Sequence, residues 1–314
     1  MLKAPLVILT GPTAVGKTKL SIELAKKING EIVSADSMQV YRRMNIGTAK
    51  ITENEKEGVP HHLIDILEPW EDFNVVAFQN YARNAVEEIH QQGKIPIVVG
   101  GTGFYIQALL YGIDFTENEN ENDSLLRKQL EVESEKDGGV SLHQYLMKID
   151  PEAARSIHPN NRKRVIRAVE FYKLTGQKIS EHNESQRRNE PIYNSAYFVL
   201  NMEREKLYQR IDYRVDLMLH DGLVDEVKQL LEEGCTPDMV SMQGLGYKEI
   251  IRYLNHETSL EEAVYILKRD TRHFAKRQLT WFRRERGVIW LEKEKDEVIM
   301  LDAILNTLKE KKII

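Results

Sequence analysis

The chain has 314 residues, 41% hydrophobic and 30% charged, enough for a large core in one domain with an insertion or in two domains. No apolar stretch reaches bilayer length, Met1-Leu2-Lys3 runs straight into a strand pattern, and Cys235 is the single cysteine. These features exclude a membrane-spanning helix, an internal disulfide framework and a multi-cysteine zinc site, and they favour the cytoplasm. The net charge of −5 is unevenly spread: residues 268–286 carry eight Lys/Arg against Asp270 and Glu285, or +6, leaving −11 elsewhere. Such a segment suits RNA, and equally the solvated face of a long helix.

The apolar run at 5–10 reads as a buried strand. It ends in GPTAVGKT at 11–18, a match to G-x-x-x-x-G-K-[ST], and Leu20, Leu24, Ala25 and Ile28 follow at helical spacing. Gly11 and Gly16 let the backbone curl through Pro12, Thr13, Ala14 and Val15 so that N–H groups turn inward. Lys17 adds a point charge, Thr18 a hydroxyl for Mg²⁺, and the helix start its partial positive charge. The plainer alternative is a glycine turn between two core elements; the full pattern in a strand–loop–helix context favours a phosphate loop.

A second short strand at 31–35 ends at Asp36-Ser37. Open α/β sheets hold ligands at the carboxyl ends of their strands, so Asp36 is placed to face the phosphate loop; a turn or cap aspartate would occupy the same position. Residues 38–50 read as an irregular surface-lining segment. A strand is predicted at 63–66 after His61 and His62, whose adjacent positions point to opposite faces and make a poor metal pair. An amphipathic helix over 73–89 leads to a buried strand at 95–99 and then GGTGFY at 100–105. There the glycines let the chain approach a ligand closely, and Thr102 offers a hydroxyl.

Composition then shifts. Residues 116–123 are acidic and asparagine-rich, a solvated surface, and helical patterns follow over 124–134, 140–149, from Pro151, and over 160–175. We read 114–195 as an all-helical insertion in an α/β domain made of 1–113 and 196–314. Arg162, Lys163, Arg164 and Arg167 crowd a helix start, where cations oppose the dipole; RNA phosphate or neighbouring carboxylates would favour them. After a strand at 196–200, an amphipathic pattern over 204–233 breaks at Asp221-Gly222. Arg210 and Arg214, four apart, share a face beside its apolar stripe, where they meet a ligand or pair with Asp212 or Asp216. A glycine-containing loop at 242–247, helices through 286 carrying the basic stripe, a strand at 288–291 and a helix at 298–308 complete the chain.

The fold class expected is a P-loop NTPase-like parallel sheet flanked by helices, with the all-helical insertion. Most such loops bind a nucleoside triphosphate. Here, however, the strand at 95–99 ends in glycines where a Walker-B aspartate would stand, Asp65 is a weak substitute, and no N-K-x-D occurs.

A more specific reading comes from the combination of motifs. GPTAVGKT at 11–18, SADSMQVYRRMNIGTAK at 34–50, HHLIDI at 61–66, VVGGTGFY at 98–105, NNRKRVIRAVEFY at 160–172, RIDYRVDLML at 210–219, GLGYKE at 244–249 and TRHFAKRQLTWFRR at 271–284 follow one another over nearly the whole chain. In that order they resemble the tRNA dimethylallyltransferases (tRNA isopentenyltransferases). In that family the loop holds the diphosphate of dimethylallyl diphosphate, and the five-carbon group passes to N6 of the adenine at tRNA position 37, beside the anticodon.

The resemblance implies that Lys17, the loop N–H groups, Mg²⁺ at Thr18 and an arginine stabilise the departing diphosphate, Arg214 being preferred over Arg210. It implies Asp36 as general base and Thr102 lining the channel that receives the flipped base. It further implies tRNA contacts at Asp36, Ser37, Met38 and Gln39, at Arg127, Lys163, Arg164 and Arg167, at Gly244, Leu245, Gly246 and Tyr247, and at Lys276 and Arg277. Relatives in nucleated cells often add a zinc finger; a sequence ending at Ile314 without one points to the compact bacterial-type form, with a monomer as the default. Some relatives modify free adenine nucleotides, but the helical insertion and the basic stripe favour the anticodon stem-loop of tRNA.

Overall fold

The computed structural model describes residues 3–115, 121–293 and 297–314, so residues 116–120 of the acidic stretch lie outside the described residues. In chain order, β1 (Pro5–Thr10), α1 (Lys17–Ile28), β2 (Gly30–Ala35), α2 (Glu53–Lys56), β3 (His61–His62), α3 (Val75–Gln91), β4 (Ile95–Gly100) and α4 (Gly103–Tyr111) come first. Five helices follow: α5 (Glu121–Lys136), α6 (Val140–Ile149), α7 (Pro151–Ser156), α8 (Arg162–Thr175) and α9 (Ile179–Arg187). The chain ends with β5 (Asn194–Asn201), α10 (Arg204–His220), α11 (Leu223–Glu232), α12 (Tyr247–Leu254), α13 (Leu260–Phe282), β6 (Val288–Glu292) and α14 (Glu297–Glu310).

The six strands form one parallel sheet in the order β3-β2-β4-β1-β5-β6, a P-loop-like fold. Its central strand β1 is covered on both faces, which is why its sequence is a continuous apolar run rather than an alternating one. Helix α1 lays Leu20, Leu24 and Ile28 in a core with Val7, Leu9, Ile97 and Phe198, joined by Met300, Ile304 and Leu308 of α14. From β1 the chain passes to β2 on one side, and from β4 it crosses to β5 on the other. Strand order therefore reverses at β1, where open α/β sheets keep their ligand crevice.

Register makes that crevice specific. Gly100 pairs with Thr10 on one side and with Ala35 on the other, so β1, β4 and β2 end flush. Gly11, Gly101 and Asp36 consequently leave the sheet from one row. The edge departs from the sequence reading: β3 is His61–His62, and 63–66 is not a strand. Leu63 and Asp65 have φ of 63° and 54°, left-handed values that extended backbone does not tolerate. His61 is hydrogen-bonded to the Val59 carbonyl and His62 to Glu31.

The chain divides into two compact units, Met1–Leu110 with Pro191–Ile314, and Tyr111–Glu190. The second is a helical cluster around Leu130, Leu142, Leu146, Val165, Ile166 and Val169. Its polar centre is Asp150, 1% exposed, which caps α7 through the Ala153 N–H at 3.0 Å and accepts the Ser180 N–H and hydroxyl at 2.9 and 2.7 Å. Burial alone would raise the Asp150 pKa, but these hydrogen bonds hold it below its usual value. Replacing Asp150 with alanine orphans three donors and is expected to destabilise this unit by about 2–4 kcal/mol. Because the folded pKa is depressed, the deficit should persist from neutral pH down to about pH 4 and shrink below it as the wild-type carboxylate protonates. Urea unfolding of the full chain over that pH range checks both points.

Candidate active site

The phosphate-loop motif forms the turn between β1 and α1. Gly11 has φ of 148°, and a Cβ there would lie 2.6 Å from the Leu200 carbonyl oxygen, so both conformation and the close passage of β5 demand glycine. Helix α1 is preceded by Gly16 at its N-cap, φ 98°, with no side-chain cap and no acidic residue in its first turn. Helices α3 and α13, by contrast, are capped by Asn74 and Ser259. The first N–H groups of α1 thus have no side-chain acceptor, an arrangement that suits an anion.

Cations gather around this turn, and neither Lys17 nor Arg214 is in an ion pair among the described residues. Lys17 Nζ donates to the Gly11 and Pro12 carbonyls at 3.0 and 2.9 Å, contacts that leave its charge uncompensated. Burial, helped by the neighbouring Arg214 and opposed by Asp36, drives its pKa down to about 7. Burial and then the like charge of Arg210 also lower the Arg214 pKa, against Asp36 and Glu55. The two arginines that sequence spacing left equivalent are separated here. Arg210 donates its Nε to the Ala14 carbonyl at 2.8 Å and braces the loop. Arg214 is half-buried and has no hydrogen-bond or ion-pair partner among the described residues. A fourth cation, Lys293, brings its Cε to 3.3 Å from where a Gly16 Cβ would sit, while its ammonium pairs with Glu297. No motif marked it.

Asp36 follows β2 directly. Its Oδ1 accepts the Met38 and Gln39 N–H groups at 2.8 and 3.3 Å, a tight turn that fixes the carboxylate, while Oδ2 accepts no hydrogen bond among the described residues. Thr102 opens α4, its carbonyl accepting the Tyr105 and Ile106 N–H groups and its own N–H donating to the Ala35 carbonyl. The glycines beside it are occupied by protein rather than left open for a ligand. A Cβ on Gly101 would lie 2.1 Å from Gln278 Nε2 and one on Gly103 2.2 Å from Trp281 Cδ1, both on α13. Asp65, the weak Walker-B substitute, is bound to Lys50 at 2.6 Å.

The predicted RNA contacts fall into distinct environments. Ser37, Met38 and Gln39 are half-buried, and Gln39 holds the Thr48 and Ala49 carbonyls. Gly244 and Leu245 are partly exposed, whereas Gly246 is buried and Tyr247 is 0% exposed. The Tyr247 hydroxyl donates to Glu226 at 2.7 Å. Glu226 also accepts the N–H groups of Asn45, Ile46 and Gly47, tying residues 45–47 to α12. Sequence reading had no signal for Glu226.

Along α13 the basic stripe splits. Lys268 and Arg272 pair with Asp216 and Asp212 of α10 and Arg269 with Asp270. Lys276, Arg277, Arg283 and Arg284 are exposed without carboxylate partners among the described residues. Lys276, Arg277 and Arg284 line a groove of about 400 Å³ with His273, Thr280 and Trp281. In the helical unit, Lys163 and Arg164 are exposed, while Arg127 and Arg167 converge on the buried Glu170 at 3.1 and 3.2 Å, the carboxylate alternative for those two.

A Mg²⁺ here would take its protein oxygen from the Thr18 hydroxyl, exposed in the first turn of α1. Among the described residues no cluster of three or more His, Cys, Asp or Glu gathers. A Mg²⁺ bound there would be held mainly by substrate oxygens and water.

A family description, IPP transferase, matches residues 39–285, beginning just after Asp36. A tRNA dimethylallyltransferase of Lachnoclostridium phytofermentans is 62% identical over 312 residues, 99% of each chain. A tRNA isopentenylpyrophosphate transferase of Bacillus halodurans has a solved structure superposing with a TM-score of 0.74 at 47% identity, over 99% of this chain and 98% of its own. A eukaryotic dimethylallyltransferase, described as acting on tRNA, gives a TM-score of 0.80 at 35% identity over 92% of this chain and 74% of its own.

Proposed function

The chain belongs to the IPP transferase family, and from that premise we propose that it moves the dimethylallyl group of dimethylallyl diphosphate to N6 of the adenosine at tRNA position 37. One arrangement carries the reading. An uncapped helix start and Lys17 lie at the flush ends of neighbouring strands with Asp36, whose second oxygen is free. Arg214 of α10, without an ion pair among the described residues, acts electrostatically on both Lys17 and Asp36.

The uncompensated cations suit a diphosphate. As the C–O bond breaks, its electron pair passes to the diphosphate oxygen, and the loop N–H groups, Lys17 and Arg214 stabilise that charge. The N6 lone pair forms the new C–N bond, and the N6 proton passes to Asp36 Oδ2. Bound Mg²⁺, with Thr18 as its protein ligand, would supply Lewis-acid charge at the diphosphate oxygens. The adenine reaches Asp36 only if it leaves the anticodon-loop stack, with Thr102 beside its path. The unpaired Lys276 and Arg277, and Lys163 and Arg164 of the helical unit, serve RNA phosphates on this reading. Labelled dimethylallyl diphosphate and unmodified tRNA test it: label should enter tRNA at one adenosine. Labelling of no RNA, with ATP-dependent phosphorylation of a small molecule instead, would replace this reading by a kinase.

Lys17 adds a pH signature. Free, it is mostly neutral at pH 8 because its pKa is held near 7, whereas a bound diphosphate stabilises the ammonium. The diphosphate ester is itself fully ionised at that pH, its last phosphate pKa being about 6. Binding of dimethylallyl diphosphate at pH 8 should therefore take up about one proton, and affinity should fall by up to about tenfold per pH unit above 7. Calorimetry in two buffers of different ionisation enthalpy reads the proton directly.

A further inference from the structure

Helix α13 buries five side chains, Ala263, Leu267, Ala275, Gln278 and Phe282. Gln278 is the one among them with a hydrogen-bonding side chain, and a buried amide is costly unless its polar atoms are satisfied. Both ends of its amide are used. Oε1 accepts the Thr13 N–H of the phosphate loop at 2.9 Å, and Nε2 donates to the Gly101 carbonyl, one residue before Thr102, at 2.9 Å. The fit is tight: a Cβ at 101 would lie 2.1 Å from Nε2, so any side chain there must displace the Gln278 amide. Trp281, one turn on, sits equally close against Gly103.

We propose that Gln278 is a positioning residue that locks the loop holding the diphosphate to the loop lining the path of the acceptor adenine. This inference rests on the function proposed above. Thr13 and Gly101 leave neighbouring strands β1 and β4, whose ladder stops at Thr10 and Gly100. Beyond that row no strand pairing fixes one loop against the other, and the Gln278 amide supplies the missing rung. By taking the Thr13 N–H it also keeps that donor turned away from the ligand and fixes which loop amides remain for phosphate. Gln278 touches neither substrate on this view; it sets the distance between the prenyl carbon and N6. Displacements of about 1 Å between reacting groups cost on the order of 100-fold.

The test uses Gln278→Leu, Gln278→Glu and Gly101→Ala in the full chain, with dimethylallyl diphosphate and an unmodified anticodon stem-loop RNA. Gln278→Leu should lower kcat by about 100-fold while the separate affinities for diphosphate and RNA are kept. Gln278→Glu keeps the acceptor for Thr13 but turns an oxygen on the Gly101 carbonyl. Its rate relative to wild type should therefore recover as pH falls from 8.5 to 6 and the buried carboxyl regains a proton to donate; the leucine variant should show no such recovery. Gly101→Ala should reproduce the kcat loss and add nothing to Gln278→Leu in the double variant. Losses that add, a change confined to KM for one substrate, or a lowered unfolding temperature with kcat intact would each overturn the proposal. Hydrogen exchange at the Thr13 amide reads the lock without turnover: it should be slow in wild type and fast in Gln278→Leu, and equal exchange would refute the lock. Wild-type enzyme that prenylates no RNA would instead refute the proposed function, whatever the exchange shows.

Discussion

Asp36→Ala is expected to lower turnover by about two to four orders of magnitude, the range for loss of a positioned general base. The expectation comes from how the carboxylate is held. Because β2 ends level with β1 and β4, Asp36 emerges beside the phosphate loop. Its Oδ1 is committed to the Met38 and Gln39 N–H groups, so Oδ2 is the oxygen left to receive a proton. The same two bonds give Asp36 a structural use, and alanine removes both functions together. The conservative change Asp36→Asn would keep an oxygen for the Met38 N–H and lose only the proton acceptor. That variant should therefore fold with the wild-type unfolding midpoint and still show a loss close to that of alanine under single-turnover conditions. An asparagine variant with near-normal turnover would assign Asp36 to the turn and remove it from the chemistry.

Much of this architecture was legible because local signals agreed with the global fold. The apolar runs of β1, β4 and β5, the break at Asp221-Gly222, and the stripe of α10 and α11 all read correctly within a few residues. Of the helices that escaped, two did so for opposite reasons. Helix α4, GFYIQALLY, is apolar nearly all round and has no periodicity to read, while α9, ISEHNESQR, has almost no apolar face. The strand expected at 63–66 failed because left-handed φ values at Leu63 and Asp65 carry no sequence mark in apolar and acidic residues. At the site, residues inside motifs were found and residues joined to it by distant contacts were not. Gln278 lies 265 residues from Thr13 and Glu226 about 180 from Asn45, so their bonds leave no local pattern. One clue was available for Gln278: it interrupts an apolar stripe with Ala275 and Phe282 at i−3 and i+4. The glycines at 101 and 103 were read as room for a ligand, when the room is filled by α13.

Arg214→Ala carries the second large effect, an expected loss of about 100- to 1,000-fold in kcat, the scale for removing one preorganised donor from a developing anion. Its neighbour Arg210 already spends its Nε on the Ala14 carbonyl. Arg210→Ala should thus act through the loop, raising KM for dimethylallyl diphosphate more than it lowers kcat. Arg214 has no competing hydrogen bond among the described residues, so on the proposed reading its full fork is free for the diphosphate. Arg214→Lys should recover only part of the loss, because an ammonium cannot reproduce two parallel donors. The electrostatic coupling gives an independent check that needs no turnover. Arg214 is one of the groups holding the Lys17 pKa near 7, so removing it relieves a like charge and lets Lys17 titrate higher. In Arg214→Ala the free lysine is then already protonated over more of the neutral range, and less than one proton should be taken up when dimethylallyl diphosphate binds at pH 8. A variant with reduced kcat but undiminished proton uptake would mean that Arg214 and Lys17 do not face the same anion. Reduced uptake together with reduced kcat would place both cations on one diphosphate.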